Sequence, residues 1–577
     1  METIVSAKRP RDTPFVECAA AYFGIPRVEV HIAAFLSGLL IAFKILNMVR
    51  YRFDTDESQH MHVIWALAHG LVQYRDIFDN HMPLFHIALA PLFALSGERT
   101  TILFWGRFAL LPMYAVTVWS TYQIGAYLFS RRVGLWAVII AGFYPTYLFT
   151  SSEFRTDNIW APLWLMSLVV LLRGGFDRRR TLIAGCLLGL CFAISMKSIL
   201  LLASLSVSAV IALLLTDRGM LGLTRRQFIR SALTFMGAAA LPLLATIIFI
   251  VTRGLWNDFR YCVFEHNILP NLDAKDSPRW FVFIFPVAFP LVVYAARKIA
   301  DAAPSRPSAF RRSFIFLICG FYLSALFSFW KLITRQDFLP YHPLAFTFIA
   351  AGLTALTDRQ KLIPLSACVA GFEFLLIVFV QPFGVGRAQL ETELVRDVLT
   401  LTEPADYVFD CKGESIFRQR CVRAVYEPVT LERVRRNLLM DDAAQRCVET
   451  RTCVAAPGGG KMPFVAGQFI TENYLPVRGW VRVVGGYLRE IPGQPTALEF
   501  DTIVPASYKI IAQRGEIKGI LDGEAYNGAR FLEPGRHIFS SAPPLTALAF
   551  LWAHAVDLHY SPFHYVPVGP ARNSWRP

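Results

Sequence analysis

The stretch MPLFHIALAPLFAL, residues 82–95, decides the topology of the chain in a membrane, because it is apolar throughout but short. A helix that spans a membrane needs about 17–25 residues, and Pro83 and Pro91 interrupt this run. We therefore expect residues 82–95 to form a helix that lies at the membrane interface and does not cross. This choice sets the side of the membrane on which every later loop falls.

Most of the remaining N-terminal two-thirds is also apolar. The chain has 577 residues, of which 54% are hydrophobic and 17% charged, and a soluble protein of this length would carry more charge. The basic N-terminus has no apolar core and no cleavage site, so the first apolar segment is predicted to be an uncleaved anchor. The sequence predicts a mainly α, polytopic membrane protein with about eleven transmembrane helices plus interfacial helices. The expected spans lie near 31–49, 101–128, 133–150, 158–172, 181–196, 198–216, 231–251, 280–296, 313–330, 343–357 and 362–381.

The basic residues follow the same topology. If 82–95 does not cross, the N-terminus and one set of short loops hold roughly 21 Lys and Arg, against about a dozen in the opposite loops. This is the positive-inside bias of a cytoplasmic (inner) membrane protein, so the net charge of +14 does not indicate nucleic-acid binding. The loops expected to face away from the cytoplasm are 51–100, 151–157, 252–279 and 331–342.

The character of the chain changes at about residue 384, where short alternating runs separated by Gly and Pro predict β-strands. We expect two domains, a membrane-embedded domain over 1–383 and an extracytoplasmic, α+β or β-rich soluble domain over 384–577. Within the second, ETELVRDVLTLT has the period of an amphipathic helix and ADYVFD that of a strand. KGILDGEAYNGARFLEPGRHIFSS is typical of a hairpin that turns at Asp-Gly.

Four of the ten cysteines lie close together in this second domain. Disulfides in an oxidising compartment, unpaired thiols and a metal site all remain open for them, although their spacing is unlike that of zinc knuckles. They are Cys411, Cys421, Cys447 and Cys453.

Polar residues gather in the outward loops, and FDTDES, residues 53–58, places three carboxylates within four positions. A carboxylate can take the proton of a hydroxyl, and cations can hold a phosphate. Simpler interpretations remain open: helix capping by Asp54, Asp56 and Glu57, an Arg155–Asp157 ion pair, and a Lys197 side chain that snorkels to the headgroups. Three histidines on the following helix, His60, His62 and His69, are predicted to be structural.

These residues carry a resemblance. TDES followed by HGLVQYRDIFDNHMPLFHIALAPLFALSGE resembles the first outer loop of the polyprenyl-phosphate-sugar glycosyltransferases. This C-type integral-membrane superfamily includes the protein O-mannosyltransferases and the lipid A aminoarabinose transferase. SSEFRTDN, LCFAISMKS, FEHN and KLITRQDFLPYHPLAF resemble later family segments in the same order, so the resemblance covers roughly residues 30–380. The chain departs from the family at His81, Leu269 and Phe338, where a Lys, an Arg and a Tyr are often found.

The resemblance implies residue roles and partners. Asp56 would be the catalytic base, with Glu57 as its partner and Asp157 as the acid of the second loop. The donor would be a sugar linked to a polyprenyl phosphate, and the acceptor would be a hydroxyl of an envelope lipid, glycan or protein. The sugar would be transferred with inversion of configuration, and membrane lipids would surround the protein. A divalent metal is left open as a cofactor, with no ligand set assigned. The residues implied in substrate binding are Arg155, Lys197, His81, His266, Lys331 and Arg335.

Two other classes of protein share this composition. A polytopic transporter or flippase predicts internal repeats and broken helices at mid-membrane, and we find no repeat. An O-antigen-type polymerase or ligase of cell-envelope glycans predicts a large central outer loop rather than a site directly after the first helix. A structural scaffold without activity also fits the composition, although the intact Asp-Glu pair argues against it.

Overall fold

A computed structural model gives the fold of the chain as two compact units. The first consists of Met1–Tyr51, Arg107–Phe249 and Asp273–Val385, and the second of Arg52–Gly106, Ile250–Leu272 and Gly386–Pro577. The residues that the structure describes are 15–174, 177–216, 225–269, 280–330, 332–360, 364–380, 387–492, 494–541, 547–565 and 567.

The first unit is helical. Each of the eleven segments singled out by hydropathy overlaps a helix within its described residues, and two of them overlap a pair of consecutive helices. In chain order the helices are α1 (Phe15–Phe23), α2 (Arg27–Arg50), α5 (Ile102–Ala109, which begins in the second unit), α6 (Leu111–Leu128), α7 (Arg131–Phe143), α8 (Pro145–Thr150), α9 (Asp157–Gly174), α10 (Arg178–Ile194), α11 (Ser198–Thr216), α12 (Arg225–Thr252), α14 (Trp280–Asp301), α15 (Arg306–Phe329), α16 (His342–Gln360) and α17 (Leu365–Val380). A 3₁₀ turn, Arg335–Phe338, precedes α16.

Five stretches among the described residues are long and apolar enough to cross a membrane by themselves. They are Arg27–Arg50, Ile102–Leu128, Ser198–Thr216, Arg226–Thr252 and Arg306–Phe329. The chain is thus a multi-pass membrane protein, as the sequence predicts. The count of eleven crossings stays a prediction.

Close helix contacts in this unit depend on small residues. A Cβ atom on Gly185 of α10 would lie 2.4 Å from the carbonyl oxygen of Phe235, and one on Gly189 would lie 2.4 Å from that of Ala239. These two glycines, four residues apart on one face, let α10 and α12 approach backbone to backbone. Without a hydrophobic driving force in lipid, such close packing is what associates helices.

The second unit combines helices with two sheets. Its helices are α3 (Thr55–Ala68), α4 (Leu84–Ala94), α13 (Trp256–Phe259), α18 (Arg387–Leu401), α19 (Pro428–Arg435), α20 (Ala443–Glu449), α21 (Phe464–Asn473) and α22 (Ala553–Asp557), with a π-helical turn, Arg260–Glu265, and a 3₁₀ turn, Pro562–His564. The helix expected at 82–95 is α4, and its place at the membrane interface stays a prediction. Its 11 residues rise about 16 Å, roughly half the thickness of the hydrocarbon region.

The strands are β1 (Tyr407–Phe409), β2 (Gln419–Arg420), β3 (Val454–Ala455), β4 (Tyr474–Arg478), β5 (Val481–Tyr487), β6 (Arg489–Ile491), β7 (Gln494–Thr502), β8 (Ala506–Ala512), β9 (Gly519–Leu521), β10 (Glu524–Ala525), β11 (Arg530–Leu532), β12 (Gly535–Ser541) and β13 (Leu548–Trp552). An eight-stranded sheet has the order β11-β8-β13-β5-β3-β1-β2, with β4 also paired to β5. The five-stranded sheet has the order β10-β9-β12-β7-β6. β1 is parallel to both β2 and β3, and every other pair is antiparallel.

Local sequence patterns in the C-terminal region are largely confirmed. The amphipathic period gives α18, ADYVFD gives β1, and the Asp522-Gly523 turn joins β9 to β10. Strand β12, which begins at the glycine of the Pro-Gly pair in the predicted hairpin, pairs with the other edge of β9. Strand β11 instead joins the larger sheet. The ten cysteines all lie in described parts of the chain and are free thiols, so the disulfide alternative is wrong here. Cys421 Sγ and Cys447 Sγ are 3.5 Å apart in the buried core.

Candidate functional site

The three neighbouring carboxylates in the first turn of α3 have different hydrogen-bond partners. Asp54 is the N-cap, and its Oδ1 accepts the backbone N–H of Asp56 at 3.1 Å. Glu57 Oε1 accepts the N–H of Asp54 at 2.9 Å, which completes a capping box. The helix-capping interpretation therefore holds for Asp54 and Glu57. Glu57 is fully buried in this role.

Asp56 has a different partner. Its Oδ1 accepts a hydrogen bond from the ammonium of Lys412, which comes from the C-terminal part of the same unit. The two side chains are only 16% and 12% exposed. Burial alone would lower the pKa of Lys412, but the nearby carboxylates, first that of Asp56, raise it above its usual value. The side chain of Asp56 is thus held in a charged pair rather than in the cap.

His81 belongs to a buried polar network that follows α3. Asp79 Oδ1 accepts from His81 Nδ1 at 2.8 Å, and Asp79 Oδ2 lies 3.3 Å from His86 Nδ1. His86 Nε2 in turn lies 2.9 Å from His60 Nδ1. Burial would raise the pKa of Asp79, but the two histidines beside it lower it. His60, predicted to be structural, is buried in this network, and His81 is its partly exposed end.

His266 sits at the end of the π-helical turn and is held by the C-terminal region. Its Nε2 lies 3.1 Å from Glu427 Oε1 and 3.2 Å from Thr430 Oγ1. Its carbonyl accepts the Nε of Arg433 at 3.1 Å. These partners fix the ring, so the substrate contact implied by the resemblance stays a prediction.

In the first unit, Lys197 lies between two buried carboxylates. Its ammonium is 3.0 Å from Asp157 Oδ1 and 2.5 Å from Asp337 Oδ1. Arg155 Nε is 3.7 Å from Asp157 Oδ2, so two cations and two anions balance. Burial alone would lower the pKa of Lys197, but the carboxylates of Asp157 and Asp337 raise it above its usual value. The predicted ion pair of Arg155 and Asp157 is therefore part of a larger cluster.

The 3₁₀ turn before α16 supplies this cluster's second acid. Thr334 and Asp337 form a capping box, and Gln336 Nε2 donates to Glu153 Oε2 at 2.6 Å. Arg335, predicted to bind substrate, is exposed on the same turn. Lys331, the other predicted cation of this segment, lies outside the described residues.

Sequence reasoning missed three functional candidates: Lys412, Asp337 and Lys44. Lys44 is buried in α2, where its ammonium donates to Ser151 Oγ at 2.8 Å and lies 4.0 Å from the centre of the Tyr114 ring. A lysine in a membrane helix is itself a signal of function, and Thr334-x-x-Asp337 is a readable capping pattern. For Lys412 the local sequence offered no such signal.

A divalent metal would need a group of His, Cys, Asp or Glu side chains that converge on one point. The described residues include no group of three or more such side chains arranged to hold a metal ion. His266 Nε2 already contacts a carboxylate and a hydroxyl. The described residues thus offer no metal-binding group.

A family model matches part of this chain. Residues 80–251 match the family model described as dolichyl-phosphate-mannose-protein mannosyltransferase. The resemblance predicted from the sequence is confirmed. The enzyme class predicted with it, a glycosyltransferase, is also that of the matching family. No curated protein sequence matches this chain.

Solved structures show the shared fold. ArnT from Cupriavidus metallidurans in the apo state is 12% identical, with a TM-score of 0.54, over 79% of this chain and 98% of that chain. The same protein bound to undecaprenyl phosphate is 11% identical, with a TM-score of 0.53, over 78% of this chain and 97% of that chain. The chain therefore has the ArnT fold.

Proposed function

We propose that this protein is an inverting glycosyltransferase that moves a sugar from a polyprenyl-phosphate donor to a hydroxyl acceptor. A structure that shares its fold is ArnT bound to undecaprenyl phosphate, a lipid of the donor class. The observation that carries the proposal is that the carboxylates at the start of α3 have different partners. Asp54 and Glu57 cap the helix, and Asp56 is paired with an ammonium that favours its ionised form.

In the proposed reaction Asp56 accepts the proton of the acceptor hydroxyl while that oxygen attacks the anomeric carbon. The bond from the anomeric carbon to the phosphate oxygen breaks, and the phosphate leaves with the electron pair. A single displacement of this kind inverts the configuration. The cations proposed to stabilise the departing phosphate are Lys197, Lys331, Arg335 or Arg155. His81 and His266 are proposed to bind the substrate. Arg335 is the exposed cation on the described 3₁₀ turn.

The side of the membrane on which the site lies is part of the same proposal. The positive-inside bias supports a site on the outer face of the cytoplasmic membrane, eleven crossings and an extracytoplasmic C-terminal region. The short helix α4, which follows the acidic loop, is consistent with that arrangement. The acceptor would be an envelope lipid, glycan or protein.

The test is transfer by the full chain in its native membrane. Envelope glycolipids and glycoproteins are analysed by mass spectrometry in cells with the wild-type protein, with Asp56→Asn and with no protein. We expect Asp56→Asn to lose at least about 100-fold of the transfer, the lower range for a general base. Asp76→Asn, on the same loop but half-exposed and bonded to Arg75, is the matched control and should retain transfer. Undiminished transfer by Asp56→Asn at normal protein levels would contradict the assignment.

A further inference from the structure

The residue that contacts Asp56 comes from a rigid turn, Asp410–Ser415. Buried Asp410 accepts the N–H of Gly413 at 2.8 Å and that of Ser415 at 3.0 Å. It also accepts Arg420 Nε at 2.5 Å, while Arg420 Nη2 donates to the backbone carbonyls of Asp410 and Cys411 in the turn and of Ala424 beyond it. A turn that is closed by its own buried charges has little freedom to move its backbone.

This turn packs directly on α3. Gly413 has a φ of +92°, and a Cβ atom there would lie 2.8 Å from His62 Cβ. His62 Nδ1 lies 2.9 Å from the carbonyl oxygen of Ile416, just beyond the turn. Arg418 Nη1 then donates to Glu98 Oε1 at 2.7 Å, a second point of attachment to the first loop. The backbone that carries Lys412 is therefore fixed beside the first turns of α3.

The Lys412 ammonium meets a strongly acidic environment. Asp56 contacts it, and the carboxylates of Glu427 and Asp54 also favour its charged form. Asp56 itself stands between two other carboxylates of the same turn, Asp54 and Glu57. The titratable groups around the pair are Arg52, Asp54 and Glu57 from the α3 segment and Glu414 and Glu427 from the C-terminal region. Burial, with the nearby charge of Asp410, raises the pKa of Glu414 to about 8.

We propose that Lys412 is a positioning residue for the transfer: the turn Asp410–Ser415 holds its ammonium on Asp56 and so keeps that carboxylate ionised and correctly oriented. The inference rests on the proposed function, in which Asp56 is the base. It gives the C-terminal region a part in the chemistry, because a base must be ionised when the acceptor hydroxyl arrives. Lys412 itself need touch neither donor nor acceptor.

The test is a pH profile of transfer, measured on the full chain in membranes with the acceptor and donor of the native cells. A neighbouring cation lowers the pKa of a carboxyl by about 1–3 units. We therefore expect Lys412→Met to move the acidic limb of the profile upward by about 1–3 pH units and Lys412→Arg to keep it near wild type. Lys518→Met is the matched control, since Lys518 is 71% exposed and pairs with an exposed glutamate; it should not change the profile.

A second measurement separates positioning from folding. In Lys412→Ala, added propylamine should restore at least part of the lost transfer by replacing the missing ammonium. If Lys412→Met has the wild-type profile while Asp56→Asn is inactive, the role of Lys412 is wrong and the proposed function stands. If Lys412→Met loses transfer equally at every pH and amine does not restore it, Lys412 is merely structural and the inference is also wrong. Full activity of Asp56→Asn would instead overturn the proposed function.

Discussion

Replacing Lys197 by methionine tests the charge balance of the first unit. The substitution keeps most of the side-chain volume but removes the cation between two carboxylates that are 2% and 0% exposed. Removing one partner of a buried ion pair costs about 3–5 kcal/mol, because the other charge remains buried. Arg155, 3.7 Å from Asp157, and the Thr334 N–H, 2.6 Å from Asp337 Oδ2, compensate part of this. We therefore expect the lower end, about 3 kcal/mol.

A loss of about 3 kcal/mol lowers the ratio of folded to unfolded protein by roughly 100-fold. The assay is equilibrium unfolding in mixed micelles, followed by far-ultraviolet circular dichroism. Lys298→Met is the control, since Lys298 is exposed at the end of α14, and it should change the free energy of unfolding by less than about 0.5 kcal/mol.

The triple variant Lys197→Met, Asp157→Asn, Asp337→Asn provides the decisive comparison. It removes the cation and both anions together, so most of the lost stability should return. Two results would refute the reasoning: a single variant as stable as wild type, or a triple variant no more stable than the single one.

Two further predictions concern the second unit. Burial lowers the pKa of His86 to about 4, below its unfolded value near 6.5. The unfolded state therefore binds the extra proton, and the free energy of unfolding decreases by about 3 kcal/mol as the pH is lowered from 6.5 to 4. His86→Gln should flatten the pH dependence of the unfolding free energy over that interval, and an unchanged slope would contradict this. The guanidinium of Arg418, with a 2% exposed side chain, bonds Glu98, Thr402 and the Phe417 carbonyl. Arg418→Lys should therefore still destabilise the protein by about 1.5–3 kcal/mol, since an ammonium cannot reproduce the planar fork; unfolding midpoints equal to wild type would count against it.

Hydropathy located the helices because membrane spans are set by a local property, the length of an apolar run. The same holds for α18, whose amphipathic period is visible within one stretch of sequence. The short, Pro-interrupted run at 82–95 likewise predicts the short helix α4. Each of these elements could be recognised without knowing what lies next to it.

The partners within the candidate site could not be predicted in that way. Asp56 and Lys412 are 356 positions apart, and Lys197 meets Asp337 from another helix turn. No periodicity connects such pairs, because their distance in space is set by packing of the whole unit. The resemblance selected Asp56 and Lys197, yet it did not show that one is held by a lysine of the C-terminal region and the other by two acids.

The pairing of Asp56 with Lys412 has a consequence for biosynthesis. The two residues are separated by 356 positions, and a ribosome adding about 5–20 residues per second needs roughly 20–70 s to make that length. During this interval the acidic start of α3 exists without its cation and without the turn that packs on it. A chain whose translation stops early thus lacks the lysine partner of Asp56, so the first loop reaches its final pairing only when the last third of the protein is made.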